Sequence, residues 1–94
     1  MTKDEIIEFL KEHKSRFTKE FGIRRLALFG SYARDEASKD SDIDILVDMP
    51  SSFKNFYALK YFLEENLKKS VDLGLEKNLR EYIKRKIQKD IIYV

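Results

Sequence analysis

Residues 42–49 read Asp-Ile-Asp-Ile-Leu-Val-Asp-Met, and this stretch constrains the chain more than any other. Asp42, Ile43, Asp44 and Ile45 alternate with the period of a β-strand, in which successive side chains point to opposite faces. A strand therefore sets the two isoleucines against a core and the two aspartates on the other face, roughly 6.5–7 Å apart along the backbone. Two carboxylates so placed repel each other unless something positive lies between them. Aspartate is depleted in strands, so a merely solvated polar face explains the pair poorly.

Helical and extended patterns alternate around this strand. Thr2 with Glu5 forms a capping box, and Ile6, Phe9, Leu10, His13 and Phe17 recur at helical spacing up to Gly22, where the helix is expected to end. Ile23 to Phe29 reads as a strand, Gly30-Ser31 as a turn, Tyr32 to Ala37 as a short helix and Ser38 to Ser41 as a loop. Asp42 to Met49 is the second strand, closed by Pro50. Ser51 or Ser52 caps a helix from about Phe53 to Lys68, with Phe56, Leu59, Leu63 and Leu67 as its core stripe. Val71 to Leu75 reads as a strand. Asn78 with Glu81 reads as a second capping box, ahead of a helix lined by Leu79, Ile83 and Ile87. Ile91 to Val94 is expected to be a short terminal strand or part of a contact surface. The chain has one proline and three glycines in 94 residues, so the elements must be joined by short turns. The expectation is one domain over residues 1–94, of the α/β (α+β) class. It has two layers, a small mixed sheet of three to four strands with helices packed on one face.

Three features bear on chemistry. Gly30-Ser31 lies at a strand-to-helix turn, where backbone can approach a ligand and free N–H groups favour phosphate; a simple capped helix would look the same. Asp42 and Asp44 offer the hard oxygen ligands that suit Mg²⁺, and two such ions can be bridged by one carboxylate pair. Asp72 stands isolated among apolar residues on its strand. If that strand neighbours the first, three carboxylates share one sheet face, and the third can complete a metal site or help deprotonate a hydroxyl. Gly74 lies on the same strand face, with no side chain to obstruct a ligand.

Other chemistries are excluded. The chain has no cysteine and a single histidine, which removes disulfides, thiolate metal sites and multi-histidine sites. No apolar run is long enough to span a membrane. The N-terminus turns acidic at once, without the apolar segment of a signal peptide, so a cytoplasmic location is expected. The net charge of +2 conceals a pattern: residues 26–50 carry two basic and six acidic side chains, while the other three quarters are each net basic.

The spacing Gly30-Ser31, ten residues, Asp42-Ile43-Asp44 resembles the G-S-x10-D-x-D pattern of nucleotidyltransferases related to DNA polymerase β. Residues 30–45 look most like the minimal nucleotidyltransferases, stand-alone prokaryotic domains of about this length, and the resemblance extends over nearly the whole chain. Asp35 departs from it, standing where many relatives carry glycine. The resemblance implies the two-layer nucleotidyltransferase fold and a set of roles. Gly30 and Ser31 hold the β- and γ-phosphates of ATP. Asp42 and Asp44 bind a pair of Mg²⁺ ions, with Mn²⁺ an acceptable substitute. Asp72 binds the catalytic metal and activates the acceptor hydroxyl. Arg34, one turn after Ser31, either adds charge at the phosphates or pairs with a nearby carboxylate.

The family further implies an antitoxin that transfers AMP to a tyrosine of a HEPN-type toxin, itself an RNase. A catalytic core of this length leaves nothing to grip an acceptor, so a partner protein docked by its own surface is expected. Two alternatives stay open: neutralisation by binding alone with an idle nucleotide site, and transfer to a small molecule in a pocket completed by an oligomer. Membrane and direct nucleic-acid contacts are not expected, and homo- or hetero-oligomers are allowed.

Three remaining features read more plainly. His13 belongs to the edge of a core. Lys84-Arg85-Lys86 with Lys89 is a solvated helix face, or else a contact for nucleic acid or an acidic partner. Tyr57 and Tyr61, one turn apart and off the core stripe, suit an interface as well as they suit solvent.

Overall fold

The computed structural model describes all of residues 1–94. Helix α1 runs Lys3–Phe21 and begins in the expected capping box. The Thr2 hydroxyl accepts from the Glu5 N–H at 3.2 Å, and the Glu5 carboxylate accepts from the Thr2 N–H at 2.9 Å. Gly22 ends the helix in the left-handed region. The elements that follow are β1 (Arg25–Phe29), α2 (Gly30–Ala33), β2 (Ile43–Asp48), α3 (Phe53–Leu67), β3 (Val71–Leu75), α4 (Glu81–Ile87) and β4 (Ile92–Tyr93).

The four strands form one mixed sheet in the order β3-β2-β1-β4. β1 runs antiparallel to β2 and to β4, and β2 runs parallel to β3. Parallel neighbours need a crossover, which α3 supplies. Ile43, Ile45 and Val47 of β2, with Leu26 and Leu28 of β1, meet Ile6, Leu10 and Phe17 of α1 and Leu59, Leu63 and Leu67 of α3 in one apolar core. No polar residue is buried in it. Of the expected stripes, Ile6, Leu10 and Phe17 of α1 and Leu59, Leu63 and Leu67 of α3 are buried, while Phe9, His13 and Phe56 are half-buried at the core edge; both helices lie on one face of the sheet. His13 stacks on Phe9 at 4.2 Å between ring centroids, with a ring nitrogen 2.9 Å from the Phe9 carbonyl oxygen. It is the core-edge histidine its spacing suggests. Phe62, off the expected stripe, joins the same aromatic group, 5.6 Å from both His13 and Phe17.

Several boundaries differ from the sequence pattern, each for a local reason. β1 starts at Arg25 because Ile23, although buried, precedes the first ladder pair, Arg25 with Asp48. α2 is one turn, Gly30–Ala33, rather than Tyr32–Ala37, since Asp35 enters the left-handed region at φ 58° and breaks the helix. Ser52 rather than Ser51 caps α3, its hydroxyl accepting from the Asn55 N–H at 3.2 Å. The second capping box is absent. Asn78 is used up in a 3-10 turn over Glu76–Asn78, and α4 begins after Arg80 with no side-chain cap. α4 itself is only seven residues long, continued by a 3-10 turn over Gln88–Asp90. Leu79, Ile83 and Ile87 form its less exposed stripe but stay half-buried.

The left-handed residues allow a direct prediction. Lys68 caps α3 at φ 59°, exposed and in no ion pair, so its Cβ crowds the following carbonyl with nothing gained. Lys68→Gly is expected to raise stability by about 0.5–1 kcal/mol, net of glycine's greater unfolded-state freedom, read as a higher midpoint in urea at unchanged slope. Asp35 shares the conformation but holds Lys3 at 3.0 Å. Aspartate also enters this region at lower cost than lysine. The residue that departs from the family's glycine is therefore accommodated locally.

Candidate active site

The face of the sheet turned away from α1 and α3 carries the carboxylates. Ile43 and Ile45 are buried in the core, and alternation turns Asp44 and Leu46 to the opposite face. Parallel pairing sets Asp44 directly beside Asp72, and antiparallel pairing sets it beside Phe29, the residue before Gly30. Neighbouring strands lie about 4.8 Å apart. The two aspartates, 28 residues apart in sequence, are therefore adjacent. Asp42 stands just ahead of β2 and is exposed. The N-terminal ends of the parallel strands and the C-terminal end of β1 thus bring Asp42, Asp44, Asp72 and the Gly30-Ser31 turn to one end of the sheet.

Gly30 is bound to this arrangement by space as well as by backbone. Its φ is 76°, and a Cβ added there would fall 2.8 Å from the Asp44 Cγ. The backbone of the turn therefore rests on the Asp44 carboxylate, and no other residue type leaves that room. Gly74 is different. A Cβ there would make an ordinary 3.5 Å contact with Leu46, so nothing in its surroundings demands glycine.

The electrostatics follow from the crowding. Asp44 is half-buried, and its carboxyl is pushed up from the ordinary 3.8 to about 6. Burial is the largest cause, followed by the charge of Asp72, the charge of Asp42 and a hydrogen bond with Asp72 that favours the protonated form; Arg34 opposes the rise. The side chains as they stand do not close into a three-ligand metal cage. They form an open row of hard oxygen donors in which negative charge is in excess. That donor set fits a small divalent cation, which would offset the repulsion raising Asp44.

Arg34 is engaged elsewhere as well. Its Nε lies 3.2 Å from Glu36 and its Nη1 3.4 Å from Asp90, so it takes the carboxylate-paired arrangement while remaining within charge range of Asp44. Periodicity offered no sign of Asp90. It lies 56 residues from Arg34 and reaches it only because the chain after α4 returns to β1. Lys69 likewise carries no periodic signal. Its Nζ donates to the Lys39 carbonyl at 2.7 Å, while the Ile43 N–H donates to the Ser70 carbonyl at 3.0 Å. These bonds tie the loop ahead of Asp42 to the turn ahead of Asp72.

Two cavities flank the sheet without reaching the carboxylates. One, of about 340 Å³, includes Arg25, Leu46, Leu79, Lys84, Arg85 and Tyr93 in its wall, which places α4 on the carboxylate-bearing face, apart from the two long helices. The other, of about 510 Å³, lies on the helical side between α3 and β3. The carboxylate row itself is an open surface.

A mixed sheet backed by two helices, with a Gly-Ser turn against paired strand aspartates, is the arrangement expected of a nucleotidyl-transferring fold. The nucleotidyltransferase domain family matches residues 5–94, and the chain belongs to it. Protein adenylyltransferase MntA of Thermococcus cleftensis is 40% identical over 97 residues, spanning 100% of this chain and 97% of that one. A Methanocaldococcus jannaschii protein named as a candidate protein adenylyltransferase is also 40% identical, over 99% of this chain and 98% of its own. Among solved structures, a minimal nucleotidyltransferase superposes with a TM-score of 0.82 at 28% identity, covering 98% of this chain and 95% of that one. The same fold occurs in a toxin–antitoxin complex with AMP-PNP, at TM-score 0.71 and 21% identity over 99% of this chain and 72% of that one. It occurs again in the complex of a tri-AMPylated Shewanella oneidensis HEPN toxin with its MNT antitoxin, at TM-score 0.60 and 20% identity over 97% of this chain and 66% of that one.

Proposed function

We propose that the chain is a divalent-cation-dependent protein adenylyltransferase that moves AMP from ATP to a tyrosine hydroxyl of a HEPN-type toxin, and is thereby that toxin's antitoxin. The observation that carries the reading is the row Asp42, Asp44 and Asp72 set against Gly30-Ser31. A pure binding module has no use for three mutually repelling carboxylates. The nucleotide and the acceptor class come from likeness: a relative matching the full length of the chain is named a protein adenylyltransferase, and one fold neighbour comes from a complex of a tri-AMPylated HEPN toxin with its antitoxin.

In this reading Asp42 and Asp44 would hold a Mg²⁺ pair, with Asp72 as a further ligand. When bound, the cations neutralise the triphosphate and stabilise the entering and leaving oxygens. Gly30 and Ser31 hold the β- and γ-phosphates, with the backbone of the turn approaching closely because Gly30 has no side chain. Arg34 lends its charge at the rim. Asp72 takes the proton from the acceptor hydroxyl. The hydroxyl oxygen bonds to the α-phosphorus, the bond from that phosphorus to the bridging oxygen breaks, and pyrophosphate leaves with the electron pair.

The test uses α-labelled ATP, Mg²⁺ and, as acceptor, the product of the neighbouring gene. Label on the partner, lost in Asp42→Ala/Asp44→Ala and lost on chelation, is the expected result. A complex that forms without label, and in which the double variant still suppresses toxicity, would leave neutralisation by binding alone.

A further inference from the structure

Helix α4 has two faces of different chemistry. Ile83 and Ile87, with Leu79 ahead of the helix, are half-buried. The outward side presents Tyr82, Arg85, Lys86 and, in the 3-10 turn that follows, Lys89, at the i, i+3, i+4 and i+7 spacing of one stripe. All four are exposed, Tyr82 at 59%. Arg85, Lys86 and Lys89 take part in none of the ion pairs of the chain, which engage Lys3 and four other arginines instead. With Gln88 they line a shallow concavity without an apolar wall.

This stripe starts at the rim of the candidate site. Asp90, the residue after Lys89, bonds Arg34 of the turn that follows Gly30-Ser31. We infer that the Tyr82–Arg85–Lys86–Lys89 stripe is the docking surface for an acidic segment of the acceptor protein, holding its hydroxyl near the carboxylate row. The inference rests on the adenylyltransferase reading above and names the surface that the acceptor uses.

Charge selects the occupant. An anion matches three unpaired cations, and two kinds of polyanion are available, an acidic protein segment and a nucleic acid strand. A strand continuing from the stripe past Arg34 to the site would meet Glu36 and then Asp42, Asp44 and Asp72, where its uniform charge is repelled. α4 also provides only about 10 Å of length and one aromatic side chain, whereas strand-binding surfaces stack successive bases on several. A protein can set acidic residues on the stripe and neutral or basic ones over the carboxylates.

The experiment measures the affinity of the chain for the product of the neighbouring gene without nucleotide, then AMP transfer to it, then ATP binding. In Arg85→Glu/Lys86→Glu/Lys89→Glu the dissociation constant for the partner is expected to rise at least about tenfold, with ATP binding within about twofold of wild type. The corresponding triple glutamine variant, which keeps the helix without the repulsion, should fall between the two. Raising KCl from about 50 to 250 mM should weaken the wild-type complex several-fold and the glutamate variant little. Unchanged partner affinity in both triple variants overturns the inference. So does the absence of any wild-type complex, and so does wild-type binding of a single-stranded RNA 20-mer that the variants lose while partner affinity stays constant. A complex that forms through the stripe but is never labelled overturns the adenylyltransferase reading and leaves the docking surface standing.

Discussion

Asp44→Asn is expected to abolish AMP transfer and at the same time to make the protein more stable. Both effects come from one arrangement. Asp44 is half-buried beside Asp72 with Asp42 close by, and folding pushes its carboxyl up from 3.8 to about 6. A raised carboxyl penalises the folded state wherever it must be ionised. Below about pH 4 the group is protonated folded and unfolded, and it contributes nothing. Between about pH 4 and 6 the folded protein binds more protons than the unfolded chain, so stability falls as pH rises. Above about pH 6 the penalty is complete. The shift alone corresponds to about 3 kcal/mol, and solvent screening of a half-exposed group reduces this to about 1 kcal/mol. Asparagine removes the charge with little change of shape, so the variant should melt about 4–8 °C above wild type at pH 7. It should also lose most of the decline between pH 4 and 6, and no longer gain stability from added Mg²⁺. A variant less stable than wild type at pH 7 would show that Asp44 is held by favourable contacts, not crowded by repulsive ones.

Gly30→Ala is the second large effect. Alanine at φ 76° carries the cost of a left-handed L-residue, about 1–2 kcal/mol. Its Cβ would also meet Asp44, with Cγ at 2.8 Å and Cβ at 3.1 Å. The carboxylate must then swing away from Asp72 or the turn must lift from the strand. Either movement is on the order of 1 Å, enough to cost about 10²-fold in transfer. A double-mutant cycle separates the two parts. In an Asp44→Ala background most of the steric conflict is gone, and Gly30→Ala should cost only the backbone part, with a coupling of about 1 kcal/mol. Zero coupling would mean that the turn and the carboxylate do not touch.

Part of this was legible before any fold was known. The Asp42-Ile43-Asp44-Ile45 alternation required a strand with one buried and one charged face, because a strand leaves each residue only two directions to point. The capping residues Thr2 and Glu5 and the helical stripes through Leu10 and Leu63 were legible for a similar reason, since they depend on neighbours within one or two turns. The Asn78–Glu81 pair shows where such local signals fail. A capping box needs the chain to enter the helix between them, and the Glu76–Asn78 turn takes that stretch for itself. The end of α2 differs from the helical pattern because a single residue, Asp35, enters the left-handed region, which aspartate tolerates better than most residues but does not by itself dictate.

The sequence by itself determined the two faces of β2, the helices that cover one of them and the Gly30-Ser31 turn ahead of the aspartates, all set by short-range periodicity and turn chemistry. Only the tertiary structure decided that β3 lies parallel to β2 in the register that sets Asp72 beside Asp44. It also decided that Asp90 reaches Arg34 and that α4 lies on the carboxylate face with its basic stripe outward. Strand order and register are choices among long-range pairings. What selects among them is the packing of Leu59, Leu63 and Leu67 over Ile43, Ile45 and Val71, and no local pattern in the chain records that.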